Sequence, residues 1–365
     1  MAYGIITHHD VHNHGAILQL NALVKILREK FGITASALRF DKNYDFMGRG
    51  LKAKYEISTR SAGIYLKYLR DNGLKQTLFN MKKKRLLTKF KEREALIGEY
   101  YTQCGELEGI IIGSDEVFAL HTGPTPVFFG HACPSKKVFA YAGSFGPTTL
   151  DDVERLHCRA FVGSGLSAMT GLSMRDQNSM FIARALTGRE PTLVCDPVIL
   201  YGYEKEIAQF APPSHLPAYL LVYAYDQNMN TPEEIDRIRA FARRQGLKIV
   251  SPGFYHKWAD YNLNVDPVEL LRYFRYADCV VTDTFHGSVM SILTGCNFAV
   301  LTRNNSNKLH NLLDEYGLSH RRITSERSVS RILAEPIDSE RVQAELTRRR
   351  ADSMIYLDSM IQFND

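Results

Sequence analysis

Short apolar segments alternate with helical patterns in two successive stretches of the chain, and this repeat limits the fold more than any other feature. Residues 3–7 have the pattern of a buried strand. Apolar residues at three- and four-residue spacing from Ile17 to Phe31 then give a helix one apolar face, and residues 33–40 form the next strand. This order of elements is typical of a parallel sheet covered by helices.

A proline-containing segment separates the two stretches. Residues 201–217 contain three prolines, which interrupt helices and central strands, so we predict an interdomain linker there. The second stretch opens with a predicted strand at 219–224 and a helix that Thr231 caps with Pro232 in its first turn. Further strands are predicted at 247–251, 279–281 and 297–301. The sequence therefore predicts an α/β protein with two Rossmann-like domains.

The domain boundaries follow from these patterns. We predict an N-terminal domain at residues 1–205 and a C-terminal domain at 215–330. Residues 42–107 are polar, aromatic and basic with helical spacing in places, which indicates a mostly helical insertion. A long charged helix over 338–362 is predicted to pack back on the N-terminal domain, by analogy with other two-domain transferases. The other N-terminal elements predicted are a helix capped by Thr149 and strands at 109–113, 138–142, 167–174 and 192–195.

Composition excludes some classes of protein. No run of about 18 apolar residues offers a membrane span, and six cysteines without a C-x-x-C pair indicate reduced thiols, so we expect a cytoplasmic protein. The net charge of +5 suits anionic ligands without indicating nucleic acid. We interpret the basic cluster at residues 82–85 as a solvated helix face, with attraction to anionic lipid at the inner membrane face as the alternative.

Four polar segments follow predicted strands, where ligands collect in open α/β sheets. Taken alone, each has an ordinary interpretation, because glycine serves turns and serine or aspartate caps helices. Their order along the chain carries more information. The segments are Asn13-His14-Gly15, Gly113-Ser114-Asp115, Ser173-Met174-Arg175-Asp176 and Thr282-Asp283-Thr284-Phe285-His286-Gly287.

Together with residues 139–146 and Asp196-Pro197, these segments resemble the polysaccharide pyruvyl transferase family. The resemblance extends from Ile5 to about Leu318. The chain departs from the family pattern at three places. His14 stands where the first motif has tyrosine, Glu116-Val117-Phe118 replaces Gln-Val-Trp after Gly-Ser-Asp, and Thr284 stands where one group of members has arginine.

The resemblance implies a fold of the glycosyltransferase-B kind, with the active cleft between the two domains. It implies transfer of a pyruvyl group from phosphoenolpyruvate onto a sugar of a polysaccharide or lipid-linked saccharide precursor, with release of phosphate. Phosphoenolpyruvate is then a co-substrate, and no cofactor or metal is expected. The alternatives are a nucleotide-sugar glycosyltransferase of the same architecture and a saccharide-binding protein without catalysis.

Chemical requirements select candidate residues for the donor. Phosphoenolpyruvate carries a phosphate and a carboxylate, for which bidentate arginine is the best single partner, so Arg175 is a candidate for donor binding and, with His286, a predicted catalytic residue. His286 follows a buried strand at a helix start and is assigned proton donation or phosphate contact, with a structural histidine as the alternative. Asp283 is predicted to cap that helix or to orient His286. The predicted donor-binding residues are Arg175, Thr284, Phe285, His286, Gly287, Ser288, Arg303 and Lys308.

The polar loops of the N-terminal domain are assigned to the acceptor sugar. The cluster His8, His9, Asp10, His12 and His14 also suggests a metal site, but its spacing matches no standard zinc pattern, and we favour a polar acceptor-binding loop. The predicted acceptor-binding residues are Asn13, His14, Gly15, Ser114, Asp115 and Glu116.

Overall fold

The computed structural model describes residues 2–41, 61–303 and 307–363. The chain divides into two units, each built from segments that are discontinuous in sequence. The first unit consists of Met1–Glu56, Lys91–Tyr201 and Glu345–Asp365, and the second of Ile57–Phe90 and Gly202–Ala344. The second unit thus takes in residues 61–90, which the sequence analysis had assigned to an insertion in the N-terminal domain. Residues 42–60 of that predicted insertion lie outside the described residues.

The elements up to residue 201 alternate between strands and helices. In chain order they are β1 (Ala2–Ile6), α1 (His14–Phe31), β2 (Thr34–Arg39), α2 (Ser61–Arg93), β3 (Ile97–Tyr100), β4 (Gly109–Ile112), β5 (Val138–Ala140), α3 (Leu150–Arg155), α4 (Arg159–Ala168), β6 (Ser173–Met174), α5 (Gln177–Thr187), β7 (Thr192–Leu193) and α6 (Pro197–Tyr201).

The remaining elements repeat that alternation. They are α7 (Glu204–Gln209), β8 (Tyr219–Tyr223), α8 (Pro232–Arg244), β9 (Lys248–Pro252), β10 (Tyr261–Leu263), α9 (Glu269–Arg275), β11 (Cys279–Thr282), α10 (Phe285–Thr294), β12 (Phe298–Val300), α11 (Asn307–Glu315), α12 (Val329–Ala334) and α13 (Ser339–Gln362).

Each unit contains a parallel sheet with the same strand order. In the first unit the order is β3-β2-β1-β4-β5, and in the second it is β10-β9-β8-β11-β12. All the pairings are parallel. The order reverses between β1 and β4 in one unit and between β8 and β11 in the other. Ligands of open α/β sheets bind outside the carboxyl ends of the strands at such a reversal, so each unit has one position where a site is expected.

The central strands are buried on both faces, which explains their continuous apolar sequences. Ile110, Ile111 and Ile112 of β4 are fully buried, and so are Val280 and Val281 of β11. Parallel sheets covered by helices on both faces have this pattern because neither face meets water. The short pair β6 and β7 extends the first sheet through isolated bridges that join Phe139 to Gly171 and Gly143 to Met174.

The helix starts predicted at Thr149 and Thr231 agree with the structure. Thr149 and Thr231 both form capping boxes, in which each threonine side chain accepts from the third helical N–H and the acidic side chain there accepts from the threonine N–H. Other elements differ from prediction. Residues 167 and 168 end α4, so the strand predicted at 167–174 reduces to β6. The predicted linker contains the short helix α7.

The C-terminal helix α13 divides between the units at residue 345. Its second part makes specific contacts within the first unit. The Ser353 hydroxyl accepts a hydrogen bond from the Cys195 N–H at 2.8 Å, and the Tyr356 hydroxyl donates to the Ala140 carbonyl at 2.9 Å. Lys137 Nζ donates to the Ile361 carbonyl at 2.8 Å. These contacts place residues 353–361 beside β5 and the end of β7.

One lysine of the basic cluster is not part of a solvated face. Lys82, Lys84 and Arg85 are exposed, but the Lys83 residue is only 8% exposed. Lys83 lies four residues after Phe79 and four before Leu87, and all three are on the buried face of α2. The interpretation of the whole cluster as solvated is therefore corrected for Lys83. No helix within residues 2–41, 61–303 and 307–363 is long and apolar enough to cross a membrane.

Candidate functional site

In the second unit, the segment Thr282–Gly287 lies at the strand-order reversal. Thr282 is the last residue of β11, and its hydroxyl donates to the carbonyl of Tyr223, the last residue of β8, at 2.6 Å. Helix α10 begins three residues later at Phe285. The motif therefore occupies the position where a ligand of this sheet is expected.

Thr284 caps helix α10. Its side chain accepts a hydrogen bond from the Gly287 N–H at 2.9 Å, as an N-cap residue does. Of the two roles predicted for Asp283, capping this helix or orienting His286, the cap is wrong, because the helix begins at Phe285 and Thr284 precedes it. Close packing explains why position 287 is a glycine. A Cβ there would come within 2.1 Å of Thr282 Oγ1 and 2.7 Å of Thr284 Oγ1.

His286 is the second residue of α10, next to the free end of the helix dipole. The residue is 9% exposed, and its ring lies edge-on to that of Phe285 with centroids 5.3 Å apart. Ser288, one turn after the cap, is fully buried, and its hydroxyl donates to the Thr284 carbonyl at 3.3 Å. A helix N-terminus carries partial positive charge and favours an anion, so a phosphate or carboxylate placed here would lie beside an imidazole.

Asp283 turns away from the helix and binds an arginine. Arg303 Nε donates to Asp283 Oδ2 at 2.8 Å, and Arg303 Nη2 donates to Glu234 Oε1 at 3.1 Å. Burial raises the pKa of the Asp283 carboxyl, and Arg303 opposes that rise. Arg303 was predicted to bind the donor, and the structure shows it between two carboxylates with its side chain 37% exposed. Lys308 is the other cation predicted to bind the donor, and its Nζ lies 5.8 Å from the centroid of the Phe285 ring.

The cap of α10 gives a first prediction. Replacing Thr284 with alanine should lower the free energy of unfolding by about 1 kcal/mol, because the Gly287 N–H loses its acceptor. Replacing Thr284 with serine keeps the hydroxyl and should cost less. Urea unfolding of the two variants measures the difference. Equal stability of the alanine variant and the wild type would show that the cap contributes nothing.

In the first unit, the remaining motifs converge on Arg175. Arg175 follows β6, and its guanidinium donates to Asp196 Oδ2 at 3.0 Å through Nη1 and to Asp115 Oδ1 at 2.9 Å through Nη2. Asp196 Oδ1 accepts from the Val198 N–H at 2.9 Å, which starts helix α6. The Gly-Ser-Asp, Ser-Met-Arg-Asp and Asp-Pro segments therefore meet in one hydrogen-bonded cluster at the carboxyl ends of β4, β6 and β7.

The electrostatics of this cluster are dominated by carboxylates. The Arg175 side chain is 1% exposed. Burial alone lowers the pKa of its guanidinium, but four nearby carboxylates outweigh that and raise it above its usual value. These carboxylates are Asp115, Asp196, Glu116 and Asp176. One cation among four carboxylates does not attract an anionic donor, whereas carboxylate oxygens can accept hydrogen bonds from sugar hydroxyls.

The other predicted acceptor residues lie at the strand-order reversal of the first sheet. Asn13 caps α1 and accepts from the Gly15 N–H at 2.8 Å, and His14 is buried. The Thr7 hydroxyl, after β1, donates to the Ser114 carbonyl, after β4, at 3.1 Å. Ser114 Oγ also donates to Gln19 Oε1. The structure thus joins the loops after β1 and β4 by side chains from three segments.

The histidines after β1 are directed to different neighbours. The His8 ring packs edge-on to Phe128 at 5.0 Å between centroids, and the His9 ring packs edge-on to Phe40 at 4.9 Å. In the part of the chain that the structure describes, no three His, Cys, Asp or Glu side chains are grouped so as to hold a metal ion. That the reaction needs no metal stays a prediction.

No role in the site was predicted from the sequence for three polar residues near the carboxyl ends of β8 and β9. Two of them follow these strands, and the third comes from a helix. Asp226 follows β8, His256 follows β9, and Lys83 comes from helix α2. Asp226 Oδ2 accepts from Asn80 Nδ2 at 2.9 Å, which ties α2 to the loop after β8. The one available signal was the helical spacing of Lys83 with Phe79 and Leu87.

Two parallel sheets with the same strand order define an α/β protein with two Rossmann-like domains. Similar folds occur in several solved structures, although sequence identity is low. S. aureus MnaA in complex with UDP is 11% identical with a TM-score of 0.52, covering 98% of this chain and 95% of that one. The UDP-GlcNAc 2-epimerase of Methanocaldococcus jannaschii with UDP-GlcNAc and UDP is 11% identical with a TM-score of 0.53, covering 100% of both chains. The Rickettsia bellii UDP-N-acetylglucosamine 2-epimerase is 10% identical with a TM-score of 0.53, covering 99% and 96%.

These likenesses confirm the predicted glycosyltransferase-B-like fold class, whereas an active site between the domains stays a prediction. No curated protein matches the chain in sequence. The family model described as polysaccharide pyruvyl transferase matches residues 13–305. The chain belongs to the polysaccharide pyruvyl transferase family, as its motifs predicted.

Proposed function

We propose that this protein transfers the pyruvyl group of phosphoenolpyruvate onto two hydroxyls of one sugar, forming a pyruvate ketal and releasing phosphate. The observation that carries the proposal is the placement of His286. It is the second residue of a helix that starts at the strand-order reversal of the second sheet, inside the most specific family motif. Such a position combines a group that can donate a proton with a helix end that favours an anion.

The reaction requires one proton transfer to carbon and two new carbon–oxygen bonds. His286 delivers a proton to the methylene carbon of phosphoenolpyruvate, which becomes the methyl group. The oxygen of one sugar hydroxyl bonds to C2, the bond from C2 to the phosphate oxygen breaks, and a second hydroxyl oxygen closes the ketal. The two hydroxyl protons balance the one taken up by the methyl group and the one carried away by phosphate. The N–H groups at the start of α10 stabilise charge on the phosphate.

The first unit supports an acceptor role through its carboxylates. Asp115 and Glu116 follow β4 beside the buried Arg175, and a sugar presents hydroxyl donors that such oxygens accept. Further acceptor contacts are proposed from the two neighbouring loops. They are Ser114, in the loop after β4, and Asn13, His14 and Gly15, which follow β1. In this proposal Arg175 holds Asp115 in position. The alternative role, the predicted direct contact of Arg175 with phosphoenolpyruvate, also needs a test.

A nucleotide-sugar enzyme is the competing function, since the solved structures of similar fold include complexes with UDP. Ligand-induced shifts in melting temperature separate the two functions through mass action. We expect millimolar phosphoenolpyruvate to raise the melting temperature and UDP to leave it unchanged. A rise with UDP and none with phosphoenolpyruvate would contradict the proposal.

Metal independence, cellular location and the acceptor's anchor are further parts of the proposal. Stabilisation by phosphoenolpyruvate should persist in EDTA, because no step is assigned to a metal. A cytoplasmic location, a lipid-linked acceptor and contact of the exposed Lys82, Lys84 and Arg85 with anionic lipid at the inner membrane face stay predictions. Sedimentation with vesicles containing anionic lipid tests the last of these.

A further inference from the structure

Lys83 is a buried cation whose ammonium has no conventional partner in the described chain. The residue is 8% exposed. Its Nζ lies 4.8 Å from the centroid of the Phe254 ring. Among the described residues it makes neither a hydrogen bond nor an ion pair within 4.0 Å, and Asp226 acts on it only at longer range. A lysine on a solvated helix face would expose most of its side chain, whereas here the residue is largely buried and its ammonium is not among the fully enclosed polar atoms, so a small ligand can reach it.

Burying an ammonium is costly unless a charged or polar group compensates it. Burial lowers the pKa of Lys83, and Asp226 opposes that change. Asp226 compensates this charge only at longer range, because it forms no hydrogen bond or ion pair with Lys83, and its two oxygens accept from other donors. Oδ1 accepts from the Tyr255 N–H at 2.9 Å, and Oδ2 accepts from Asn80 Nδ2 at 2.9 Å.

The place of Lys83 in the fold points to a ligand. Phe254, on which Nζ rests, comes two residues after β9, and its ring packs against Tyr223 at the end of β8 with centroids 5.0 Å apart. The Tyr223 hydroxyl is also buried without a hydrogen-bond partner among the described residues. Two donors therefore flank one aromatic ring at the carboxyl ends of neighbouring strands.

This cluster lies close to the segment that carries His286. In the second sheet β8 is between β9 and β11, so the ends of β9 and β11 are about 10 Å apart at ordinary strand spacing. Asn228, in the loop after β8, lies between the two sides: its carbonyl faces His256 Nε2 at 3.3 Å, and its side chain is near enough to Asp283 to oppose the rise in the pKa of that carboxyl. A small ligand with two anionic groups can extend from the start of α10 toward Lys83.

We propose that Lys83 binds the anionic donor, giving a charge-assisted hydrogen bond to the phosphate or carboxylate of phosphoenolpyruvate. This inference rests on the proposed function for the identity of the donor. It supplies the second unit with a cation where Thr284 stands in place of the family's arginine and where Arg303 is held by Asp283 and Glu234. Helix α2, whose residues 73–90 otherwise carry no recognised motif, then contributes directly to the site.

The test replaces Lys83 with methionine, which keeps the length of the apolar stem and removes the charge. We expect phosphoenolpyruvate binding, measured by calorimetry, to weaken about 10- to 100-fold, the range for loss of a hydrogen bond to a charged group. The melting temperature without ligand should stay equal or rise, since an uncompensated charge is removed. Lys82→Met, one residue earlier and exposed, is the matched control and should bind like the wild type. Lys83→Gln provides a second neutral variant if the methionine variant folds poorly.

The outcomes separate this inference from the proposed function. Wild-type affinity for phosphoenolpyruvate in both Lys83 variants, together with a lower melting temperature, would make Lys83 a structural residue and leave the function standing. The wild type could instead bind UDP and not phosphoenolpyruvate, with weaker UDP binding in Lys83→Met. Lys83 would then be an anion-binding residue, and the proposed donor would be wrong. If phosphoenolpyruvate, UDP and inorganic phosphate all fail to bind the wild type, the assignment of Lys83 is refuted.

Discussion

Replacing His286 with asparagine should lower kcat by about two to four orders of magnitude, the usual contribution of general acid catalysis. Asparagine keeps part of the hydrogen bonding but cannot deliver a proton. His286 is at the second position of α10, where Thr284 and not the imidazole provides the cap, so the variant should keep its fold. Steady-state kinetics with varied phosphoenolpyruvate measures the effect.

The two roles of His286 give different kinetic results. A proton donor affects kcat more than the apparent KM for phosphoenolpyruvate, whereas a residue that only contacts phosphate mainly raises that KM. His215→Asn, an exposed histidine of the second unit, is the control and should have wild-type constants. A folded His286→Asn enzyme with both constants unchanged would remove His286 from the site.

Replacing Arg175 with methionine should lower the free energy of unfolding by about 3–5 kcal/mol. The substitution leaves Asp196 and Asp115 without their shared cation, and removing one partner of a buried ion pair leaves an uncompensated buried charge. Urea unfolding measures the loss. Arg184→Met, which breaks a pair with Glu190 on the surface, is the matched control and should change the unfolding midpoint little.

Arg175→Lys separates the structural role of this residue from donor binding. An ammonium cannot bridge Asp115 and Asp196 as the planar guanidinium does, so we expect a smaller loss of stability than with methionine. With Arg175 as a positioning residue, affinity for phosphoenolpyruvate should change little while the KM for the acceptor rises. Wild-type stability together with weakened phosphoenolpyruvate binding would return Arg175 to the donor site.

The sequence predicts the central strands well for a physical reason. β4, β8 and β11 are buried on both faces, so their sequences are continuously apolar and stand out from the neighbouring helices. The edge strands β3 and β10 were not predicted. They are short and partly exposed, and their pairing depends on a neighbouring strand rather than on their own pattern.

The motifs predict where the site residues lie along the strands but not what those residues contact. The order of the motifs places His286 and Asp115 correctly after strands, because the carboxyl ends of parallel strands share one edge. The partner of Asp283 is Arg303, and that of Arg175 is Asp196, about 20 residues away in each case. Such pairings follow from how loops meet in three dimensions and leave no spacing pattern in the sequence.

The burial of Lys83 could not be predicted from the sequence either. Three neighbouring basic residues make Lys83 look solvated, while its spacing from Phe79 and Leu87 puts it on the apolar face of α2. Local charge and helical spacing gave conflicting indications. The structure resolves them because α2 packs against Tyr255 and Phe254 of the second unit, through Phe79 and Lys83 respectively.

The most direct test of the central claim is to incubate the purified protein with phosphoenolpyruvate and a panel of sugar glycosides, following phosphate release and product mass together. The proposed function predicts phosphate released in equal amount to a product that has gained one pyruvyl ketal, with EDTA present or absent. Phosphate release without a mass gain, or transfer from a UDP-sugar to the same glycosides with phosphoenolpyruvate untouched, would contradict it.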